Sequence, residues 1–315
     1  MEERKSAAFP YDDYVQSANA LFHCMKEGRF LESILERRAI VPRYCIEDMG
    51  YLDIRCGDIV YQKMAVLQKC FCDIPLHKLM DTFELRGYGE AFRSLSDEEK
   101  LDLTKNNTHP DFYGTYAIAF SKKWGEDKHL QPVQYINEKS DYAARFSEYV
   151  SDALSAEELP EYCSDDVLYR LSFVKSLRGI MSRQVLRKGE NQRIQVDIWK
   201  NFHDEKEWRY VPDNSVLDAM NVGRIIANPS ILDLDGAIDQ INENLESEKY
   251  RQLWLEYEYN DIRYIIVPNS EERLKIINKI LNIPDSHFDN PEIMQREKYI
   301  LISKILVLNE IRKDW

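Results

Sequence analysis

The segment His203-Asp204-Glu205-Lys206-Glu207-Trp208-Arg209-Tyr210 carries the side chains best placed for chemistry. Trp208 and Tyr210 alternate with Glu207, Arg209 and Val211, which is the period-two pattern of a half-buried strand. Glu207 then shares a face with Arg209, opposite two large aromatics. A carboxylate in that setting has to be paired, solvated or functional. An ordinary Glu207–Arg209 edge pair is the bland alternative to a carboxylate held for catalysis. The pair Cys70 and Cys72 is the other candidate, since both thiols of a Cys-x-Cys on a strand face one side. Without a second cysteine cluster or a nearby His pair, that spacing is a weak metal signature. It reads as buried structural thiols, and no metal is expected.

The elements that must position these residues are legible in outline. Leu21-Phe22-His23 is a short apolar strand, and Phe30, Leu31, Ile34 and Leu35 follow at helical spacing before Ile40-Val41-Pro42. Cys70 to Ile74 is strand-like, ending at Pro75. Tyr113 to Ser121 is the clearest strand: Tyr116, Ile118 and Phe120 form one face, and Thr115, Ala117, Ala119 and Ser121 form a small one. A face that small leaves room for a ligand or for close packing under a helix. Pro132 to Ile136, Val222 to Ala227 and Ile262 to Pro268 also read as strands, and a helix follows Ser270.

Two stretches interrupt this pattern. Residues 84–112 are polar, with a Ser96-Asp97-Glu98-Glu99 helix start, and read as a surface excursion. Residues 138–166 are acidic and 170–193 basic; Val167, Leu171, Val174, Leu177, Met181 and Val185 suggest an amphipathic helix flanked by Arg170, Lys175, Arg178, Arg183 and Arg187. That helix would either pair with the acidic stretch or offer a local polyanion contact. The expected architecture is one α+β domain over 1–283, with insertions at about 84–112 and 138–193. A C-terminal helical extension over 284–315 should dock or dimerise.

Composition bounds the function. The 315 residues are 44% hydrophobic and 11% aromatic, enough for a large core. A formal charge of −13 gives no overall attraction to nucleic acid. No run of apolar residues is long enough to span a membrane, and the charged start Met1 to Ala8 is not a secretory leader. Six scattered cysteines fit a reduced, cytoplasmic setting. The absence of a Gly-rich phosphate loop argues against ordinary NAD redox or ATP chemistry. The absence of a clustered Asp/Glu/His motif disfavours a nuclease or metal enzyme.

Six ordered blocks carry a resemblance: Leu21-Phe22-His23 with Ile34-Leu35; Pro42-Arg43-Tyr44-Cys45; Cys70-Phe71-Cys72-Asp73-Ile74-Pro75; Tyr113-Gly114-x-Tyr116 through Lys122-x-Trp124; Pro132-Val133-x-Tyr135-Ile136; and Asp204-Glu205-x-Glu207 through Pro212. Together they resemble AbiGi-type abortive-infection proteins. The departures are the insertion near 84–112 and the long C-terminal helix. The resemblance implies phage defence as one half of a toxin–antitoxin pair, usually the antitoxin half, with a cognate toxin or antitoxin as partner. More distantly, the blocks are similar to an ADP-ribosyltransferase layout, with an ADP-ribosyltransferase-like mixed β core. In that layout Glu207 is the catalytic carboxylate, and His23, Arg43, Ser121 and Glu205 bind NAD as substrate. Cleaving the nicotinamide–ribose bond develops an oxocarbenium-like cation that a fixed carboxylate stabilises. His23 would bond the adenosine ribose and Arg43 the pyrophosphate. Two functions follow: ADP-ribosylation of a protein or nucleic acid, or non-catalytic neutralisation of a partner toxin.

Overall fold

The computed structural model describes residues 17–155, 161–188, 192–288 and 294–314, which form an α+β protein. Its central sheet contains β1 (Ala20–Met25), β2 (Arg43–Asp48), β3 (Lys63–Cys72), β4 (Tyr116–Ser121), β5 (Glu207–Tyr210), β6 (Ile262–Val267) and β7 (Ile305–Val307). Across the sheet the order is β7-β6-β4-β1-β3-β5, with Gln131–Pro132 beyond β5. β7 runs parallel to β6, whereas β1, β3, β4 and β5 pair antiparallel.

β3 is long, and its two halves have different neighbours. Residues 63–68 pair with β2, and residues 69–72 pair with β5. β1 joins β3 at a single register, Phe22 opposite Cys72, while its other edge pairs with β4 along the whole strand. β1 and β3 therefore part on the N-terminal side of Cys72, alongside Phe71 and Cys70, and the sheet carries a gap beside His23 and Cys24.

Alternation decides what covers each face. Leu21, Met25, Ile118 and Phe120 point to one side. There they meet Leu31, Ile34 and Leu35 of α1 (Gly28–Arg37) and Ile276 and Ile280 of the helix Ser270–Leu281. Burying each such aliphatic side chain contributes about 1.5–3 kcal/mol. On the other side Phe22, Ala117, Ala119 and Ile266 pack with Leu308. The small face of β4 thus accommodates close packing, not a ligand. The chain after 284 is not one helix: Met294–Ser303 is helical, Ile305–Val307 adds a parallel edge strand, and Leu308–Asp314 is helical again. Adding β7 lets Leu306 and Leu308 cover the sheet while the backbone keeps its hydrogen bonds.

The basic helix expected over 170–193 does not form. The helix Glu161–Leu171 ends at the acid-to-base transition, and Val174–Ser176 and Arg178–Leu186 are strands. Arg178–Leu186 pairs over nine residues with Arg193–Asn201, which in turn pairs with Arg86–Tyr88. The three-and-four spacing also contains a period-two set, Met181, Arg183 and Val185, and the long ladder satisfies it. The basic groups disperse: Arg183 donates to the Asn106 carbonyl at 2.6 Å and Arg187 to the Ser94 carbonyl at 2.8 Å. The polyanion surface premised on that helix loses its basis.

Neither interruption stays outside the sheet. Within 84–112, Ser96 caps Asp97–Lys105 in a reciprocal capping box with Glu99, and Leu95 and Leu103 share a small core with Val196. The segment then turns inward. Asn107, Thr108 and His109 are buried, and α2 (His109–Tyr113) lies against β1. Gly114 makes this approach possible: at φ +119°, an added Cβ would sit 1.9 Å from the Met25 carbonyl oxygen. Within 138–193, Asp141–Ser155 packs on Met49, Leu52 and Met64, and Lys175 enters the site described next. Among the described residues, no helix is long and apolar enough to cross a membrane.

Candidate active site

β5 inverts the usual burial of its residue types. Glu207 and Arg209 are 5% and 0% exposed, while Trp208 and Tyr210 are half-buried against the main core. Register explains this: Glu207 lies opposite Cys72 and Arg209 opposite Cys70, so the charged face continues the thiol face of β3. The Glu207–Arg209 pair does form, with Arg209 Nε donating to Glu207 Oε1 at 2.6 Å, but in the interior and not at an exposed edge.

Around that pair lies a buried ionic network of three carboxylates and three cations, which balance. Lys175 bridges Glu207 at 2.6 Å and Glu205 at 3.0 Å. Lys200 holds Glu205 at 2.9 Å, and Arg209 reaches Glu47 at 3.0 Å. Tyr113 donates to Glu205 and accepts from Lys200, and the Glu207 amide donates to the Tyr135 hydroxyl at 2.8 Å. Burial alone would raise the carboxyl pKa values; Arg209 and Lys175 instead hold Glu207 far below the usual range, and Lys175 and Lys200 depress Glu205. At Lys175, burial is outweighed by Glu207, Glu205 and Glu47, so its pKa rises; at Lys200 burial prevails and the pKa falls. Both glutamates are ionised at neutral pH. Each Glu207 oxygen accepts one strong bond and has lone-pair capacity for another.

His23 stands in the gap between β1 and β3, donating from Nδ1 to the Cys70 carbonyl at 2.9 Å. Burial, then Lys69, lower its pKa to about 3 against the pull of that bond. The ring is therefore neutral, with Nε2 free of a proton. Since Phe22, Cys72 and Glu207 share a face, the next residue, His23, emerges from the opposite one. The gap lets both residues line one cavity of about 250 Å³, together with Cys72, His109, Lys175 and Glu205. On the other side of His23 lies a groove of about 680 Å³ that includes Lys69, Arg37, Arg43 and Glu246 in its walls. Groove and cavity share His23, Cys24 and Tyr113.

The sequence candidates thus separate. Glu207, Glu205 and His23 meet at the cavity. Arg43 lies in the groove wall and pairs with Glu246 at 3.3 Å. Ser121 lies at the far end of β4, opposite Ala20, and its hydroxyl accepts from the Trp124 amide at 3.1 Å. It caps the helix Lys122–Asp127 and takes no part in the site, because a hydroxyl at the strand-to-helix junction is used by the first helical turn. Asp73 and Lys122 form a separate buried pair at 2.5 Å that also accepts the Ala18 amide.

Sequence reasoning missed Glu47, Lys175, Lys200 and the role of Tyr113. Lys200 had a signal: it follows Ile194, Val196 and Ile198 on one face of an alternating strand, where a lysine is as anomalous as Glu207. Glu47 and Lys175 had none, since their neighbours alternate without marking them as buried.

Four of the six sequence blocks, those holding His23, Cys72, Tyr113 and Glu207, contribute to the cavity wall, and comparison with known proteins agrees with a common origin. The family model described as "Putative abortive phage resistance protein AbiGi, antitoxin" matches residues 92–268. The abortive phage resistance protein AbiGi of Lactococcus lactis subsp. cremoris is 31% identical over 289 residues, covering 88% of this chain and all of that protein. This chain belongs to the AbiGi family. The matched region runs from the short helix Gly89–Arg93 through β6, so it includes Glu205, Glu207, Lys175 and Tyr113. No solved structure matches the chain.

Proposed function

We propose that this phage-defence protein transfers ADP-ribose from NAD to a macromolecule, a protein or a nucleic acid. The gap between β1 and β3 carries the reading: it connects a large groove with cationic side chains to a small cavity with a fixed, ionised carboxylate. The groove is in the size range of small-molecule sites, roughly 300–1,000 Å³. The pyrophosphate of NAD takes the groove, near Lys69 and Arg43, and the nicotinamide ribose takes the cavity. His23 serves as a neutral hydrogen-bonding group between them. The bond from ribose C1′ to the nicotinamide nitrogen breaks, its electron pair leaves with neutral nicotinamide, and Glu207 stabilises the ribosyl cation. A hydroxyl or nitrogen of the acceptor then bonds to C1′ and loses its proton.

The second reading is a binding protein that neutralises a cognate toxin. Two observations favour it: both Glu207 oxygens are already engaged by cations, and the matching family model is described as an antitoxin. Glu207→Gln separates the readings. Loss of phage restriction together with loss of labelled ADP-ribose transfer, in a variant that still folds, supports transfer. Full restriction and retained toxin binding by Glu207→Gln would leave the binding reading standing.

A further inference from the structure

Cys24 on β1, Cys72 at the end of β3 and His109 at the start of α2 meet in the wall of the carboxylate cavity. Their candidate ligand atoms all lie within 4.8 Å of one another. Both thiols are free, Cys72 and His109 are buried, and His109 Nδ1 is buried with no hydrogen-bond partner. An imidazole nitrogen left without a partner in a dry site needs an explanation. Two sulfurs at tetrahedral angles around one zinc, each at about 2.3 Å, stand about 3.8 Å apart. From at most 4.8 Å, the two sulfurs have to close by no more than about 1 Å. Two thiols and an imidazole are also the protein donor set of zinc centres that keep a fourth position open.

We propose that Cys24, Cys72 and His109 bind one Zn²⁺, with its fourth position open on the cavity shared with Glu205 and Glu207. Both sulfurs would bind as thiolates, so a dication is matched by two negative charges. The surrounding ionic network, already balanced, keeps its charge. The sequence concealed this site because its three ligands come from three separate segments, with none of the short ligand spacings that mark zinc motifs.

The test uses the full chain, reduced and stripped of metal, titrated with Co²⁺ and with Zn²⁺. The expected result is one equivalent per chain, with a sulfur-to-cobalt charge-transfer band and the intense visible bands of a tetrahedral site. Cys72→Ser and His109→Ala should lose these bands, and Cys45→Ser, outside the cluster, should keep them. If the cluster variants fold poorly, the unaltered protein decides: blocking its thiols with a mercurial should release the bound zinc. Absence of stoichiometric metal in the reduced protein would overturn the proposal. So would a Cys24–Cys72 disulfide recovered in peptide mapping of freshly isolated protein, or equal loss of the bands in Cys45→Ser. None of these readouts depends on NAD chemistry, so the two proposals fail separately.

Discussion

Arg209→Met isolates the energetics of the buried network. Methionine retains an unbranched apolar stem and removes the guanidinium. Arg209 has no exposed surface; it donates to Glu207 at 2.6 Å, to the Ser172 carbonyl at 2.8 Å and to Glu47 at 3.0 Å. The substitution leaves Glu207 with Lys175 alone and Glu47 with only the Gln68 amide, at 2.7 Å. The cluster then carries one uncompensated negative charge. Removing one partner of a buried ion pair costs about 3–5 kcal/mol. The exposed pair Arg273–Glu310, at 3.4 Å, is the control, and Arg273→Met should cost under about 1 kcal/mol. Urea unfolding at pH 7 measures both. Adding Glu207→Gln to Arg209→Met should recover at least about 1 kcal/mol, because the cluster's surplus negative charge is then removed. A cost near that of the surface control, or strict additivity of the two changes, would refute the view that these charges depend on one another.

The depressed pKa values of Glu205 and Glu207 give acid sensitivity of a definite sign. Their folded values lie below the ordinary 4.5, so the stability they contribute is complete above that pH and is lost as pH falls through the folded values. The urea midpoint should drop below about pH 4.5, less steeply in Glu207→Gln; identical profiles would count against the network. With a folded pKa of about 3, His23 should show neutral-imidazole nitrogen shifts from pH 8 down to pH 5 in NMR spectra, and a titration within that range would contradict its burial. Ser121→Ala should cost about 1 kcal/mol, as for a lost helix cap, and leave phage plating unchanged; loss of restriction with the fold intact would return Ser121 to the site.

Local order was readable from residue pattern wherever one period dominated. Alternation in Tyr116–Ser121 and Glu207–Tyr210, and the three-and-four spacing of Leu31, Ile34 and Leu35, specify their elements because each needs one apolar face to reach a core. The same logic marked Glu207 as an anomalous carboxylate. Two periods competed in 174–186, and there a long-range ladder with 193–201 prevailed over helical spacing. Local spacing does not contain the partner strand, so it could not decide between them.

Only the tertiary structure decided what became of the charges. The pattern paired Glu207 with Arg209 and marked Lys200 as anomalous, but did not place Lys175, Lys200 and Glu47 beside them, since each arrives from a different element. It placed Ser121 at a strand end, where the following helix took its hydroxyl. It presented Cys72 as a structural thiol, and folding set it beside Cys24 and His109. Periodicity reports which way a side chain points from its own backbone. Which side chain it meets is set by sheet register and by the gap between β1 and β3, and both depend on contacts between residues far apart in the chain.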